Sequence, residues 1–377
     1  MTLQRRALYF FVLYAFAIVY LSLFPGDFLL HPSAAGLYWV AGDSRRLTFD
    51  TALNVLFYLP LGAAGFLAMG RGVPAWLASS AFGIALSLLI EWVQLWTPSR
   101  YGNLRDFAAN GAGAVLGAST AFFIQAHAEN LLARISVGPR KRLPAAAWLM
   151  LSVWALWHAF PFFPSLSLYR VQHSVAPWEW QAFGAHAVGF FILTVLMGRS
   201  RWLWLAFALV PAQVFLADRS FSAAETLGSL VGGCAAWMLG GQSLKVAQLA
   251  LPVWLCLEEF RPFRLAPQRL TFAWMPFGSW FATNTTGFYS TIFSKLFLYT
   301  AVVWVLRKTG LGAAAAVAVP AVILLIGEWS QQWIEGRTPE TTDLAVLAIG
   351  IVLLTLCAEN ATAALQGAEV SAERKQS

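Results

Sequence analysis

Apolar runs of about 17 to 23 residues recur along the 377-residue chain and constrain its fold more than any other feature. An α-helix rises about 1.5 Å per residue, so a helix of this length crosses a hydrocarbon core roughly 30 Å thick. Only 11% of the residues are charged and 59% are hydrophobic, a balance unlike that of soluble domains. The ten-residue alternating segments of a membrane barrel are absent from the sequence. The sequence therefore predicts an all-α, polytopic transmembrane helical bundle.

Breaks between the apolar runs predict about twelve helices. The predicted spans are 7–24, 50–69, 74–96, 106–126, 145–163, 181–198, 201–217, 222–239, 246–260, 288–306, 311–333 and 341–358. An even number of spans leaves both chain ends on one side of the membrane. Short turns on that side are basic, such as MGRG at 69–72 and LRKTG at 306–310, so the positive-inside rule predicts that both termini are cytoplasmic. The polar residues 359–377 predict a cytoplasmic tail.

The predicted partners are membrane lipids. A net charge of +7 does not indicate a nucleic-acid partner, because the basic residues lie in short turns rather than in a stripe with interleaved aromatic residues. The three cysteines lie in apolar runs without CxxC spacing and predict neither a metal site nor a disulfide. We interpret His158, His173 and His186 as packing residues. The sequence thus predicts no cofactor and no metal.

An internal repeat divides the chain into three parts. The pattern Q-x5-R-x5-[DE]-x6-G occurs three times without gaps, and the later copies lie 119 and 237 residues after the first. Its members are Gln94, Arg100, Asp106 and Gly113, then Gln213, Arg219, Glu225 and Gly232, then Gln331, Arg337, Asp343 and Gly350. An upstream helix of each copy carries one polar residue, which is Asn54, His186 or Lys295. We predict three degenerate four-helix units, at 1–130, 140–240 and 245–358.

The first unit carries three motifs in a fixed order, which are NVLFYLPLG at 54–62, EWVQ at 91–94 and RYGNLRDFAANGAG at 100–113. With these motifs, residues 50–120 resemble the VanZ-like family, which is named for a glycopeptide-resistance protein. The resemblance implies a multi-pass protein of the bacterial inner (plasma) membrane with a role in the cell envelope, including teicoplanin resistance for the founding member. It implies no settled biochemical mechanism.

Five polar side chains of the first unit form the predicted substrate-binding site: Glu91, Gln94, Arg100, Asp106 and Asn110. Glu91 and Gln94 are three residues apart on one helix, so they share a face. Asp106 and Asn110 share a face of the next helix, and Asp106 is placed to cap it. Arg100 lies in the loop between the two helices, where both faces can converge on it. The secondary candidates are Asn54, Glu328, Gln331, Arg337 and Asp343.

The three units are not expected to be equivalent. The third unit has Leu347 where Asn110 aligns, and the second has Val210 at the position of Glu91. A guanidinium among carboxylates and amides suits an anionic group, because it binds phosphate or carboxylate through two parallel hydrogen bonds. Our first hypothesis is that the outward-facing site binds or moves a lipid-linked or phospholipid anionic substrate, such as a polyprenyl-phosphate-linked envelope precursor.

Three alternatives stay open. Glu91 could act as general acid or base in an intramembrane hydrolase or transferase, with Arg100 stabilising negative charge, although the motif offers no His, Cys or Ser nucleophile. The protein could instead be a scaffold for envelope polysaccharide machinery, with its aromatic loops as the contact surface. An arginine and an acid six residues apart, such as Arg219 and Glu225, could also pair and only hold a loop in place.

Overall fold

The computed structural model describes residues 3–32, 36–39, 44–98, 102–135, 143–160, 162, 164, 174–198, 200–216, 219–279 and 285–357. The regular elements among these residues are helices, and the β-structure consists of isolated bridges. The all-α prediction is therefore confirmed for the described part of the chain. The chain divides into two compact units, Met1–Lys141 and Arg142–Ser377.

The first unit consists of α1 (Leu3–Leu23), α2 (Ser44–Met69), α3 (Gly72–Gln94) and α4 (Leu104–Ile135). Glycines let α2 and α4 pack with their backbones almost in contact. A Cβ atom on Gly117 would lie 1.9 Å from the Leu59 carbonyl oxygen, and one on Gly113 would lie 2.3 Å from that of Val55. No side chain fits these distances, so the small residues of α4 set the separation of the two helices.

The second unit contains α5 (Ala145–Ala159), α6 (Trp180–Met197), α7 (Trp202–Ala212), α8 (Ala223–Leu239), α9 (Ser243–Phe260), α10 (Thr285–Lys308), α11 (Ala313–Ser330) and the last described helix (Thr342–Cys357). Short 3-10 turns follow α7, α8 and α11, at Gln213–Phe215, Gly240–Gln242 and Gln331–Trp333. Helices α6 and α8 pack in the same way as α2 and α4. A Cβ atom on Gly232 would lie 1.9 Å from the Ala187 carbonyl oxygen.

Both the interior and the outer faces of these helices are apolar. Trp154 is fully buried in the second unit, where its indole N–H donates to the Ala206 carbonyl at 3.0 Å. On the outside, Trp204 is 76% exposed and Val322 is 53% exposed, and in the first unit Leu89 is 58% exposed. Water disfavours so much exposed apolar surface, whereas a hydrocarbon solvent does not.

Within the described residues, seven helices are long and apolar enough to cross a membrane: Gln4–Leu23, Asp50–Met69, Gly72–Gln94, Leu104–His127, Trp180–Met197, Tyr289–Lys308 and Ala313–Trp333. The apolar helices Ala145–Ala159, Trp202–Phe215 and Thr342–Cys357 are shorter. Helix α8 has only 17 residues, and α9 contains Lys245, Glu258 and Glu259. The helices thus lie close to the predicted spans, but fewer than twelve have the length and composition of a full span. The predicted tail, 359–377, lies outside the described residues.

Two pairs of loops run side by side in the same manner. The matching contacts are the bonds from Leu29 N to Trp96 O (2.7 Å) and from Ala266 N to Trp333 O (2.8 Å), and the parallel bridges Tyr38–Asn103 and Ala273–Glu340. In each pair, the loop after one helix (α1 or α9) is bonded to the loop that precedes a later helix (α4 or the last described helix). These bonds fix the helix ends at which the predicted site residues lie.

Candidate functional site

Glu91 lies near the end of α3 and is 3% exposed. Its carboxylate oxygen Oε2 accepts a hydrogen bond from the backbone N–H of Asn103 at 2.7 Å. Asn103 Oδ1 in turn accepts a bond from the N–H of Arg105 at 2.9 Å, at the start of α4. Asn103 therefore caps α4, and Asp106, the predicted cap, lies in the first turn of this helix. Glu91 holds the loop that leads into this helix.

The two amides of the predicted site bind neighbouring helices. Gln94 Nε2 donates to the carbonyl of Ser22 at the end of α1, at 2.9 Å. Asn110 Nδ2 donates to Ser87 Oγ at 3.1 Å and so joins α4 to α3. Both amides are buried. Each therefore stabilises the packing of the first unit.

Asp106 faces α2 from the first turn of α4. It hydrogen-bonds the side chains of Asn103 and Asn54, and Asn54 lies on α2. The structure thus brings together Asn54 and Asp106, which are 52 positions apart in the sequence. Arg100 lies outside the described residues. The convergence of the other side chains on its guanidinium stays a prediction.

A corresponding polar contact joins α6 to α8. His186 Nε2 lies 3.6 Å from Glu225 Oε2, and Gln213 Nε2 donates to the same carboxylate oxygen. His158 of α5 places its Nε2 only 3.0 Å from His186 Nε2. The sequence-based interpretation of the histidines as separate packing residues did not anticipate this cluster. No local spacing could reveal it, because its members lie on three different helices.

Arg219 is bonded to the end of α5. Its Nη2 donates to the carbonyls of Trp157 at 2.8 Å and Phe160 at 3.1 Å, and its Nη1 donates to Ser290 Oγ at 3.2 Å. Burial lowers the pKa of the guanidinium from its usual value, and the negative charge of Glu225 opposes that shift. A cation at the carboxyl end of a helix is favourable because it binds the last carbonyl groups.

An ion pair between a partly exposed lysine and a buried aspartate joins α10 to the last described helix. Lys295 Nζ lies 2.5 Å from Asp343 Oδ1, and the Asp343 side chain is 1% exposed. Nearby, Gln331 Nε2 donates to Glu259 Oε2 at 3.0 Å, and the Tyr299 hydroxyl lies 3.5 Å from Glu259 Oε1. The structure thus gathers two predicted residues, Gln331 and Asp343, with Lys295 and an acid of α9.

Glu328 repeats the contact made by Glu91. Its Oε2 accepts a bond from the backbone N–H of Glu340 at 3.0 Å, and its Oε1 accepts one from that of Asp343 at 3.3 Å. It is 3% exposed. Glu328 therefore holds the start of the last described helix as Glu91 holds the start of α4.

A cavity of about 240 Å³ lies within the second unit. Its charged wall consists of Glu258, Glu259, Lys295 and Arg337, and its aromatic wall of Trp157, Trp254, Phe297 and Tyr299. Arg337 donates from Nε to the Arg261 carbonyl at 2.7 Å and from Nη2 to the Glu258 carbonyl. Glu258 and Glu259 are not among the site residues predicted from the sequence. The available signal was two adjacent carboxylates at the end of an apolar run, since intramembrane charges usually serve a function.

Long apolar helices with lipid-like outer faces and buried ionic contacts define a multi-pass helical membrane protein. Residues 11–125 match the VanZ/LLP1 family, so the first helical unit is VanZ-like. This match covers the motif region quoted from the sequence and confirms the resemblance found there. No curated protein and no solved structure matches the chain.

Proposed function

We propose that the chain consists of three degenerate four-helix units built to one plan, of which the VanZ-like segment is the first. The support is geometric. One polar pair joins the second and fourth helices of each unit at equivalent repeat positions: Asn54 with Asp106, His186 with Glu225, and Lys295 with Asp343. A shared ancestral contact, altered in chemistry but kept in place, accounts for all three.

The arginines of the repeat also support this plan. Arg219 binds carbonyls at the end of α5, and Arg337 binds carbonyls at the end of α9. Both helices are the first of their proposed units. By the same plan, Arg100 would bind the end of α1. Arg219 and Arg337 then each have a structural role in their unit.

We place ligand binding at the cavity of the second unit. The observation that carries the proposal is that a charged wall and an aromatic wall face one partly open cavity in an apolar bundle. Such a space suits an amphiphile, whose polar headgroup needs hydrogen-bond donors that lipid chains cannot supply. Glu91, Gln94 and Asn110 of the first unit instead bind the protein itself.

The proposed ligand is the phosphate-bearing headgroup of a phospholipid or of a lipid-linked envelope precursor. Lys295 and Arg337 supply two cations at the cavity wall. Arg337 uses Nε and Nη2 on backbone carbonyls, which leaves Nη1 without a partner among the described residues. Glu258 and Glu259 can accept bonds from hydroxyl, amide or amine groups next to the phosphate.

Binding of a polyprenyl phosphate to the full chain in lipid nanodiscs, followed by native mass spectrometry, tests this proposal. Arg337→Gln removes one charged hydrogen-bond donor, worth about 1.5–3 kcal/mol, and we expect affinity to fall about 10- to 100-fold. Arg269→Gln is the matched control, because Arg269 binds Gln332 and does not line the cavity. Equal affinity for the two variants contradicts the proposal.

A cavity-filling variant gives a second test that does not remove a charge. Thr291 lines the cavity, whereas Thr355, on the last described helix, does not. Thr291→Phe should abolish binding because its ring occupies the headgroup space, and Thr355→Phe should leave binding unchanged. Binding that survives Thr291→Phe would place the ligand elsewhere.

The second candidate function is an intramembrane hydrolase or transferase that acts on the same class of substrate. The observation in its favour is that the carboxylate of Glu259 lies at the cavity beside Lys295 and Tyr299, where an acid or base could act on a bound headgroup. Release of phosphate from a lipid-linked substrate, lost in Glu259→Gln but kept in Glu91→Gln, would favour it. The scaffold alternative predicts that neither variant changes binding or turnover.

The proposed location is the bacterial inner membrane with both termini cytoplasmic, where envelope precursors and phospholipids are both present. Its support is the basic character of the short turns, including Arg307 and Lys308 at the end of α10. A reporter that is active only in the cytoplasm, fused to each terminus in turn, should be active in both fusions. The proposed phenotype is altered teicoplanin sensitivity on deletion or overexpression.

A further inference from the structure

Three potential metal ligands meet in the proposed middle unit, and none of them lines the cavity described above. They are His158 of α5, His186 of α6 and Glu225 of α8, and one ligand atom from each lies within 4.8 Å of the others. The histidines are 1% and 3% exposed. The cluster is therefore assembled by tertiary packing and is held inside the unit.

Hydrogen bonding fixes the protonation of both imidazoles. His158 Nδ1 lies 2.9 Å from the Trp154 carbonyl oxygen, and His186 Nδ1 lies 2.8 Å from that of Ala182. A carbonyl oxygen can only accept, so each Nδ1 must carry a hydrogen. In the neutral rings both Nε2 atoms then present lone pairs, and these two atoms are only 3.0 Å apart. Two facing lone pairs at this distance require a cation between them, either a proton or a metal ion.

The spacing suits a small divalent metal ion. Zinc–nitrogen bonds of about 2.0–2.1 Å in tetrahedral geometry separate two ligand nitrogens by roughly 3.3 Å. The observed separations are 3.0 Å between the two Nε2 atoms and 3.6 Å from His186 Nε2 to Glu225 Oε2. Both separations lie within about 0.3 Å of the value for a bound ion.

The surroundings orient the ligands as metal sites do. Metal-bound histidines usually donate their other N–H to a carbonyl or carboxylate, as both do here. Gln213 donates to the Glu225 carboxylate and so holds the third ligand. Two imidazoles and one carboxylate form the ligand set of several catalytic zinc sites, in which the fourth position stays open. The Glu225 side chain is 24% exposed, which gives that position a route to water.

At the position equivalent to His186, the third unit has a side chain that is itself a cation. There the repeat partner of His186 is Lys295, whose ammonium group contacts Asp343, the repeat partner of Glu225. In the middle unit neither histidine supplies a permanent charge. Arg219 carries the nearby positive charge, and its guanidinium is engaged with the carbonyls at the end of α5. The carboxylate of Glu225 therefore faces the histidines.

We propose that His158 Nε2, His186 Nε2 and the Glu225 carboxylate bind a divalent transition-metal ion, with Zn²⁺ as the first choice. This site is separate from the proposed lipid cavity. It makes residues 140–240 a metal-binding unit, although their sequence retains little of the VanZ-like motif.

Metal content of the purified full chain tests the proposal. After incubation with Zn²⁺ and dialysis, the wild type should retain about one ion per chain, and His158→Gln and His186→Gln should each reduce retention at least tenfold. His127→Gln is the matched control, because His127 makes the same Nδ1 contact with the carbonyl four residues earlier but is exposed. Retention that is equal in all three variants overturns the proposal.

A measurement on the wild type keeps the test valid if a variant does not fold. Replacing zinc with Co²⁺ should give the visible absorption of a tetrahedral site with nitrogen and oxygen ligands, and excess Zn²⁺ should remove it. A wild type that takes up neither ion, with one proton shared between the two imidazoles, overturns the proposal. Failure of lipid binding with metal retained would refute only the proposed function.

Discussion

The ion pair between Lys295, which is 29% exposed, and the buried Asp343 gives the sharpest prediction about stability. Lys295→Met removes the only charge bonded to Asp343 Oδ1 among the described residues and keeps a side chain of similar length. The Asp343 carboxylate is then left 1% exposed with an unpaired charge or a forced proton. We expect this single change to destabilise the second unit strongly.

The magnitude follows from the burial of the aspartate. Removing one partner of a buried ion pair costs about 3–5 kcal/mol, whereas replacing both partners with apolar residues is often nearly neutral. A loss of that size lowers Tm by on the order of 10 °C in a domain of about 150–250 residues. The double variant Lys295→Met/Asp343→Leu should therefore be more stable than Lys295→Met alone, and within about 1 kcal/mol of the wild type.

Thermal unfolding of the detergent-solubilised protein, followed by tryptophan fluorescence, measures both effects. Lys245→Met on α9 is the control, because Lys245 is exposed and its removal should leave Tm within about 2 °C of the wild type. A Lys295→Met variant as stable as this control would refute the reasoning. The reasoning would also be refuted if the double variant lost as much stability as Lys295→Met and Asp343→Leu lose in sum, since the two side chains would then not interact.

Two further changes test the helix contacts. Gly232→Ala should lower the free energy of unfolding by about 1–3 kcal/mol, because the new Cβ would lie 1.9 Å from the Ala187 carbonyl oxygen. Gly241 has open space around it, so Gly241→Ala should leave stability unchanged. Equal melting temperatures for the two variants would contradict this packing. Glu91→Ala should lower the free energy of unfolding by about 1–3 kcal/mol, because it leaves the buried N–H of Asn103 without its acceptor, and Glu91→Gln should lower it less. Hydrogen exchange at the Asn103 amide measures the difference. Equal protection of this amide in both variants would count against the bond.

The sequence predicted the helices well because the length of an apolar run is a local property. Helix α3, predicted at 74–96, spans Gly72–Gln94, and α6, predicted at 181–198, spans Trp180–Met197. The number of full spans was overestimated where charge or brevity interrupts the run, as in α9 with Glu258 and Glu259.

The site was harder to predict because its contacts are not local. Motif spacing selected Glu91 and Gln94 as substrate-binding residues, but it could not show that both are buried or that their partners are a backbone N–H and a backbone carbonyl of other segments. The contact between His158 and His186 depends on how α5 packs against α6, which no periodicity encodes. The role of Arg100 stays a prediction.

The central proposal is that the cavity of the second unit holds a phosphate-bearing headgroup. An experimental structure of the protein in nanodiscs containing a polyprenyl phosphate tests it directly. We predict phosphate density within hydrogen-bond distance of Lys295 Nζ or Arg337 Nη1. Headgroup density bound at another surface, with only water between these two side chains, would contradict the claim.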